Sequence, residues 1–419
     1  MISTKTTSDF DVVVIGGGAA GIAAAVSAAQ AGASVALVEQ YGFLGGAATA
    51  SSVLTHCGFF DQTRTQVVRG VGQQFLDQLA RRDLYQVQTT EATGNTIVLL
   101  DLETTKSVYD DLVTAAGVTL FLHSHLVEAS VTAGCITDVT LHHRGGRRTL
   151  RGRAFIDCSG DGALLAAAGA DVLLSDVDHR QASTLVMRVG AVEEGADLTP
   201  GALSTAVRAY SARTGTTLTR DSGIAVRMPL SREVMLLLAD QHRDVLDVEE
   251  LTAAEIEGRR LSWDYLKALQ QGVPGWGHSY LAATGPQIGI RESRRLAGRE
   301  VVRAEDVRTA RRRPEDAVAR CGWPMEDHAT PGVTVYGGIK DKGWYHVPYG
   351  SLCSATIENL WAGGRLVSSD AQAYSSLRVM GTAFATGHAC GAAAVVHLRE
   401  NRHDEVATRA LLESQGALI

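Results

Sequence analysis

Three glycines and an acid near the start of the chain have the types and spacing of a phosphate- and ribose-binding turn. Gly16, Gly18 and Gly21 stand as G-x-G-x-x-G, and Glu39 closes the apolar run that follows. Gly16 permits a tight turn, Gly18 lets a pyrophosphate approach the backbone, and Gly21 lets a helix pack closely on a strand. Glu39 stands where an acid accepts hydrogen bonds from a ribose diol, which favours an unphosphorylated ribose, so FAD or NAD over NADP.

Such spacing arises by chance in a chain with 44 glycines, so the flanking elements decide. Residues 11–15 (DVVVI) form a short β-branched run, the pattern of a buried parallel strand. Residues 22–31 are alanine-rich and read as a helix that Gly32 stops. Residues 34–38 read as a second strand. Strand, glycine turn, helix, strand and acid thus stand in order, with the helix N-terminus facing a pyrophosphate.

The remaining candidates are scattered. His56 and Cys57 follow the small-residue loop 41–49, either facing a flat ring system or packed in the interior. Arg291, Glu292, Arg294 and Arg295 form a cluster that suits a substrate carboxylate or an internal ion-pair network. Tyr345 and His346 lie on an extended aromatic run, which by itself reads as a packed strand. The six cysteines include no C-x-x-C pair, which excludes zinc and iron–sulfur spacings and a dithiol reductase. No metal site is expected.

The 419 residues suffice for two domains. A formal charge of −7 argues against nucleic acid as a partner. No apolar run reaches the ~18 residues of a membrane span, and the first ten residues are polar, so a cytoplasmic protein without a membrane partner is expected. Self-association into a homo-oligomer stays open. Helices are expected at 70–82, at 101–116 with Asp101 as N-cap, and at 163–168 with Asp161 as a candidate cap. Strands are expected at 118–122 and 154–158, with a three-stranded meander between them. From about residue 174 to 353 the segments become longer and less regular, which suggests an insertion. Within it, strands are expected at 182–190 and 224–229, Thr252 to Glu255 reads as a capping box, and residues 308–313 read as a solvated helix end.

The loop Y-G-F-L-G-G-A-A-T at 41–49, the Ser159-Gly160-Asp161-Gly162 turn, the segment at 286–295 and the Gly363-Gly364-Arg365 turn resemble the FAD-dependent oxidoreductase family. That family lies within the glutathione-reductase-like flavoproteins. The resemblance implies an α/β fold: a Rossmann-like FAD-binding domain with a parallel central sheet and β-meander crossover (residues 1–173 and 354–419), plus an inserted α+β substrate-binding domain (174–353). It implies FAD bound by Gly16, Gly18, Ala20, Gly21, Glu39, Gln40, Gly45, Gly46, Thr49, Leu126, Ser159, Gly160, Asp161, Gly364, Arg365, Met380, Gly381 and Ala383. It also implies oxidation of a small-molecule substrate by hydride transfer to flavin N5, with reoxidation by oxygen or another acceptor. The candidates for the reaction are His346 or His56 for proton transfer, Arg291 or Arg378 for anchoring, and Tyr374 as a pocket wall. A covalent flavin link through His56 or Cys57, a monooxygenase using external NAD(P)H, and a non-catalytic flavoprotein subunit are the alternatives.

Overall fold

The computed structural model describes residues 7–91 and 93–419. The polar start read from the sequence lies, for residues 1–6, outside them. The strand Thr7–Ile15 pairs in parallel with Val35–Val38 on one side and Gly146–Asp157 on the other. Thr119–Phe121 extends this sheet beyond Val35–Val38, and Leu360–Ala362 pairs in parallel with residues 155–157. The central sheet therefore draws strands from both ends of the chain. Val12, Val13 and Val14 are fully buried, as a strand covered on both faces requires.

His125–Thr132, Cys135–His143 and Gly146–Asp157 form the antiparallel meander. Its last strand is a single run of 12 residues. One stretch pairs with the meander and then, from Ala154 on, only with parallel neighbours, where the sequence suggests two separate strands.

The first helix, Ala19–Gln30, packs against the long helix Met380–Glu400. A Cβ on Gly387 would overlap Ala20 O, and one on Gly391 would overlap Ala24 O. The alanine- and glycine-rich composition of both helices is thus what their close backbone approach demands. No single helix among the described residues is long and apolar enough to cross a membrane.

A second, antiparallel sheet has the strand order Ile224–Arg227, Val234–Gln241, Ser183–Gly190, Tyr280–Thr284. With the helices Pro200–Thr214 and Val248–Gly272 it encloses its own core around Leu185, Leu236, Tyr265 and Trp276. Three sequence expectations change here. The helix capping box expected at Thr252 is replaced by Asp247, whose side chain accepts from Glu250 N at 2.9 Å, so the helix starts at Val248. Thr252 sits inside it, its hydroxyl turned back to Val248 O. The basic run 308–313 is not wholly solvated: Arg313 is buried and paired with Glu300 and Asp316. The short helix after Gly162 takes its capping bonds from elsewhere than Asp161. Asp157 accepts from Leu164 N and Leu165 N, and Ser159 Oγ from Ala163 N, all at 2.9 Å.

Candidate functional site

The glycine turn forms one wall of a groove over the C-terminal ends of the parallel strands. Gly16, Gly18 and Ala20 line it together with Glu39, Gln40, Gly45, Gly46, Ser159, Gly160, Asp161, Gly364, Arg365, Met380 and Ala383. The first helix has no side chain on its N-terminal amides, so those donors face the groove. The helix Met380–Glu400 likewise begins without a side-chain cap. Glu39 is buried, which pushes its pKa up, and it accepts from Gly17 N at 2.7 Å and Tyr41 N at 3.0 Å.

The glycines separate by what confines them. Gly16 has a φ of +97° and leaves no room for a Cβ beside Cys158, and a Cβ on Gly21 would overlap Gly16 O. A Cβ on Gly18 would meet only Gly46, at an ordinary 3.6 Å. The fold needs Gly16 and Gly21; the space at Gly18 is needed by nothing in the protein itself, so the residues present fit a pyrophosphate there.

Four residues assigned to the cofactor from sequence lie off the groove lining. Gly21 packs on Gly16, and Gly381 packs against residues 57–59. Thr49 is buried and donates to Leu44 O at 2.6 Å, holding the loop from behind. Leu126 packs at the edge of the apolar cluster that holds Val38 and Leu141.

The groove opens into a cavity of about 540 Å³, and Ala47, Ile290, Arg365, Arg378 and Met380 line both. Arg291 and Arg378 are in the cavity wall. Arg291 Nη1 donates to Ala182 O at 2.7 Å and to Thr184 Oγ1 at 2.5 Å, and stands 3.6 Å from Asp240. Arg378 donates to Gln181 Oε1 and to Glu326 O, each at 3.0 Å. Arg365 pairs with Asp161 at 3.1 Å. Glu292, by contrast, pairs with Arg295 in the interior, so that half of the cluster is structural. Tyr374 stands behind the wall and not in it: its hydroxyl donates to Arg291 O at 2.6 Å.

Neither histidine singled out from sequence lines the groove or the cavity. On the short strand Thr55–Cys57 successive side chains face opposite ways. Thr55 and Cys57 line the cavity. His56 points back among Phe59, Phe75 and Phe384, with its Nε2 2.9 Å from Tyr109 Oη. Burial lowers its pKa to about 3, so it is neutral. Burial also raises the Cys57 thiol, with Glu326 adding to the effect. His346 is buried beside Trp344 and accepts from Arg313 N at 2.7 Å.

The histidine in the cavity is His328, which sequence reasoning passed over with Glu326, Arg220 and Tyr336. The signal available was the i, i+2 spacing of Glu326 and His328 on an extended segment, which puts both on one face. His328 Nε2 is 3.4 Å from Glu326 Oε1, and its Nδ1 is 3.2 Å from Thr334 Oγ1. Burial, aided by the nearby Arg291, lowers the His328 pKa to about 4. Burial alone would raise Glu326, yet His328, Arg378 and Trp323 bring it down to about 2. At neutral pH the pair is a neutral imidazole beside a carboxylate. Arg220 is held by Asp240 at 2.9 Å, by Thr334 at 2.9 Å and by Ser222 O at 3.0 Å.

A parallel sheet with a glycine turn, a buried acid at the end of the second strand and a second helix opening onto the same groove is the arrangement of a dinucleotide-binding protein. The family model for "FAD dependent oxidoreductase" matches residues 11–414, so the chain belongs to that family and its cofactor is FAD. A geranylgeranyl bacteriochlorophyll reductase-like protein from Thermoplasma acidophilum is 12% identical over 98% of this chain and 83% of its own, with a TM-score of 0.52. The flavin-dependent brominase Bmp2 is 11% identical over 98% of this chain and 84% of its own, with a TM-score of 0.50. These two show the shared fold. Mitochondrial glycerol-3-phosphate dehydrogenase from Bos taurus is 45% identical over 58 residues, 14% of this chain and 8% of that protein.

Proposed function

We propose that this protein oxidises a small organic molecule by hydride transfer to FAD, with oxygen or another acceptor taking the electrons on. The observation that supports this reading best is the cavity of about 540 Å³ that opens directly onto the cofactor groove and carries its own charged and titratable groups. Its size suits a small-molecule ligand. FAD, held by the 16–21 turn, Glu39, the 159–161 turn, Gly364 and Arg365, supplies the two-electron acceptor at N5 of its ring. The protein does the rest. Arg291 and Arg378 anchor the substrate. His328 is neutral at working pH and stands 3.4 Å from Glu326 in the cavity wall, so it is the group that takes the proton a substrate hydroxyl or amine releases. The uncharged Cys57 thiol and the apolar residues shape the wall. This reading requires a small-molecule partner and no nucleic acid or membrane.

The test is anaerobic: the holoenzyme is mixed with a panel of small hydroxy and amino compounds while the oxidised-flavin band near ~450 nm is followed. Bleaching without a nicotinamide cofactor is the expected result. Bleaching by NAD(P)H alone would replace the proposal with an external-NAD(P)H monooxygenase. No bleaching by any reductant tried would favour a non-catalytic flavoprotein.

A further inference from the structure

We infer that the substrate is an amphipathic acid, with an anionic head bound between Arg291 and Arg378 and an apolar body extending to the cavity mouth; this rests on the proposed function. Two independent features of the cavity carry it.

The first is charge. Arg220, Arg291, Arg365 and Arg378 line the cavity, whereas the carboxylates against them are Asp161, Asp240 and Glu326. With His328 neutral, one guanidinium has no counter-ion. Arg220 and Arg365 have their groups committed to Asp240, Thr334 and Ser222 O, and to Asp161 and Ile290 O. Among the described residues Arg291 donates through Nη1 alone, and Arg378 through Nε and Nη2. Donors of both remain for a ligand. A partly desolvated cation in excess is costly, and a carboxylate matched to a guanidinium fork relieves that cost.

The second is the gradient of polarity. The guanidiniums are half-buried, with 10% of the Arg220 side chain and 13% of the Arg291 side chain exposed, while Ile224, Val333 and Tyr336 at the rim are 43%, 49% and 62% exposed. Leu237 and Val53 continue this apolar lining inward. The Tyr336 phenol is uncharged at neutral pH, so the rim adds no charge. A ligand that is anionic at one end and apolar along its length matches both regions.

The experiment uses the FAD-loaded protein and measures binding by calorimetry of butanoate, hexanoate and octanoate, with octanamide and octylamine as controls. Octanoate should bind at least about tenfold tighter than octanamide, with octylamine weakest. Affinity in the acid series should rise about fourfold per methylene. Arg291→Met should abolish the preference of acid over amide and keep the chain-length dependence. Should that variant fail to fold, Val333→Ser on the exposed rim should weaken octanoate binding more than butanoate binding, without adding a charge to the cavity. Equal affinity for acid and amide, or affinity independent of chain length, overturns the inference. Acids that bind without any compound reducing the flavin would sink the proposed oxidation and leave this inference standing. Flavin reduction by neutral or cationic compounds alone would do the reverse.

Discussion

Two neighbours in sequence, His56 and Cys57, end on opposite sides of one short strand, and only Cys57 reaches the cavity. The sequence offers both as candidates, because period-2 alternation says that they differ but not which one faces the cofactor. His346 is misread for a related reason: an aromatic strand looks the same whether it walls a pocket or fills a core. His328 needed the hairpin Met325–Asp327 and Val335–Gly337, which folds it over Arg220 and Thr334. Arg291, Arg365 and Arg378, each singled out from the sequence, do line the cavity, whereas Arg295 of the same cluster pairs with Glu292 in the interior. The proton-transfer role of His328 gives a residue-scale prediction. His328→Gln should lower kcat/KM by about 10²-fold or more while leaving FAD content unchanged. In the native protein the acid limb of the kcat/KM profile should fall near pH 4, because His328 loses its accepting form as pH drops through about 4. A profile limited near the ordinary histidine value of 6.5 would assign the proton to another group.

The elements most legible in the sequence are those whose composition is constrained by close approach. Residues 11–39 could be read because a pyrophosphate turn, a helix and two buried strands each restrict residue type. The helix Met380–Glu400 packs on the first helix through Gly387 and Gly391, whose missing side chains leave space for Ala20 O and Ala24 O. Gly387→Ala should therefore destabilise the protein by about 1–3 kcal/mol through overpacking, read as a lowered urea midpoint. Flavin retention should fall with it, because Ala20 and Ala383 both line the groove. An unchanged midpoint would mean that the two helices pack less closely than described. Boundaries were less legible: the helix at Val248 starts earlier than the Thr252 signal because Asp247 supplies the cap and acids follow in its first turn. The strand Val234–Gln241 was not read at all, since its continuous apolar run suits a buried helix equally well.

At the scale of the whole molecule, the family resemblance implied that both ends of the chain build one sheet, and Thr7–Ile15 and Leu360–Ala362 do flank the strand Gly146–Asp157. It could not show the cavity, which is assembled from segments far apart in the chain: Thr55–Cys57, Arg220, Ile290–Arg291, Glu326–Tyr336 and Arg378. The interior also sets how the molecule responds to acid. Burial lowers His56 to about 3 and His328, His346 and His388 to about 4. Each is neutral in the folded state and binds its proton more readily when unfolded. Stability should thus decline as pH falls from about 6.5 towards 4, with each histidine contributing up to about 1.4 kcal/mol per pH unit in that window. Glu326, lowered to about 2, adds a further loss below its ordinary value of 4.5. Urea titrations at pH 7, 6 and 5 would show the midpoint falling; a flat response would mean that these imidazoles are solvated.

The central claim is that the 16–21 turn holds the FAD pyrophosphate, and Gly18 tests it most directly, since a Cβ there meets only Gly46, at an ordinary 3.6 Å. The measurement is the flavin content of purified Gly18→Val, taken as absorbance near ~450 nm per chain beside a circular-dichroism melt. A folded protein that carries no flavin, even after incubation with FAD, is the predicted result. Native flavin content in that variant would contradict the account, because the side chain would then occupy space the cofactor does not use.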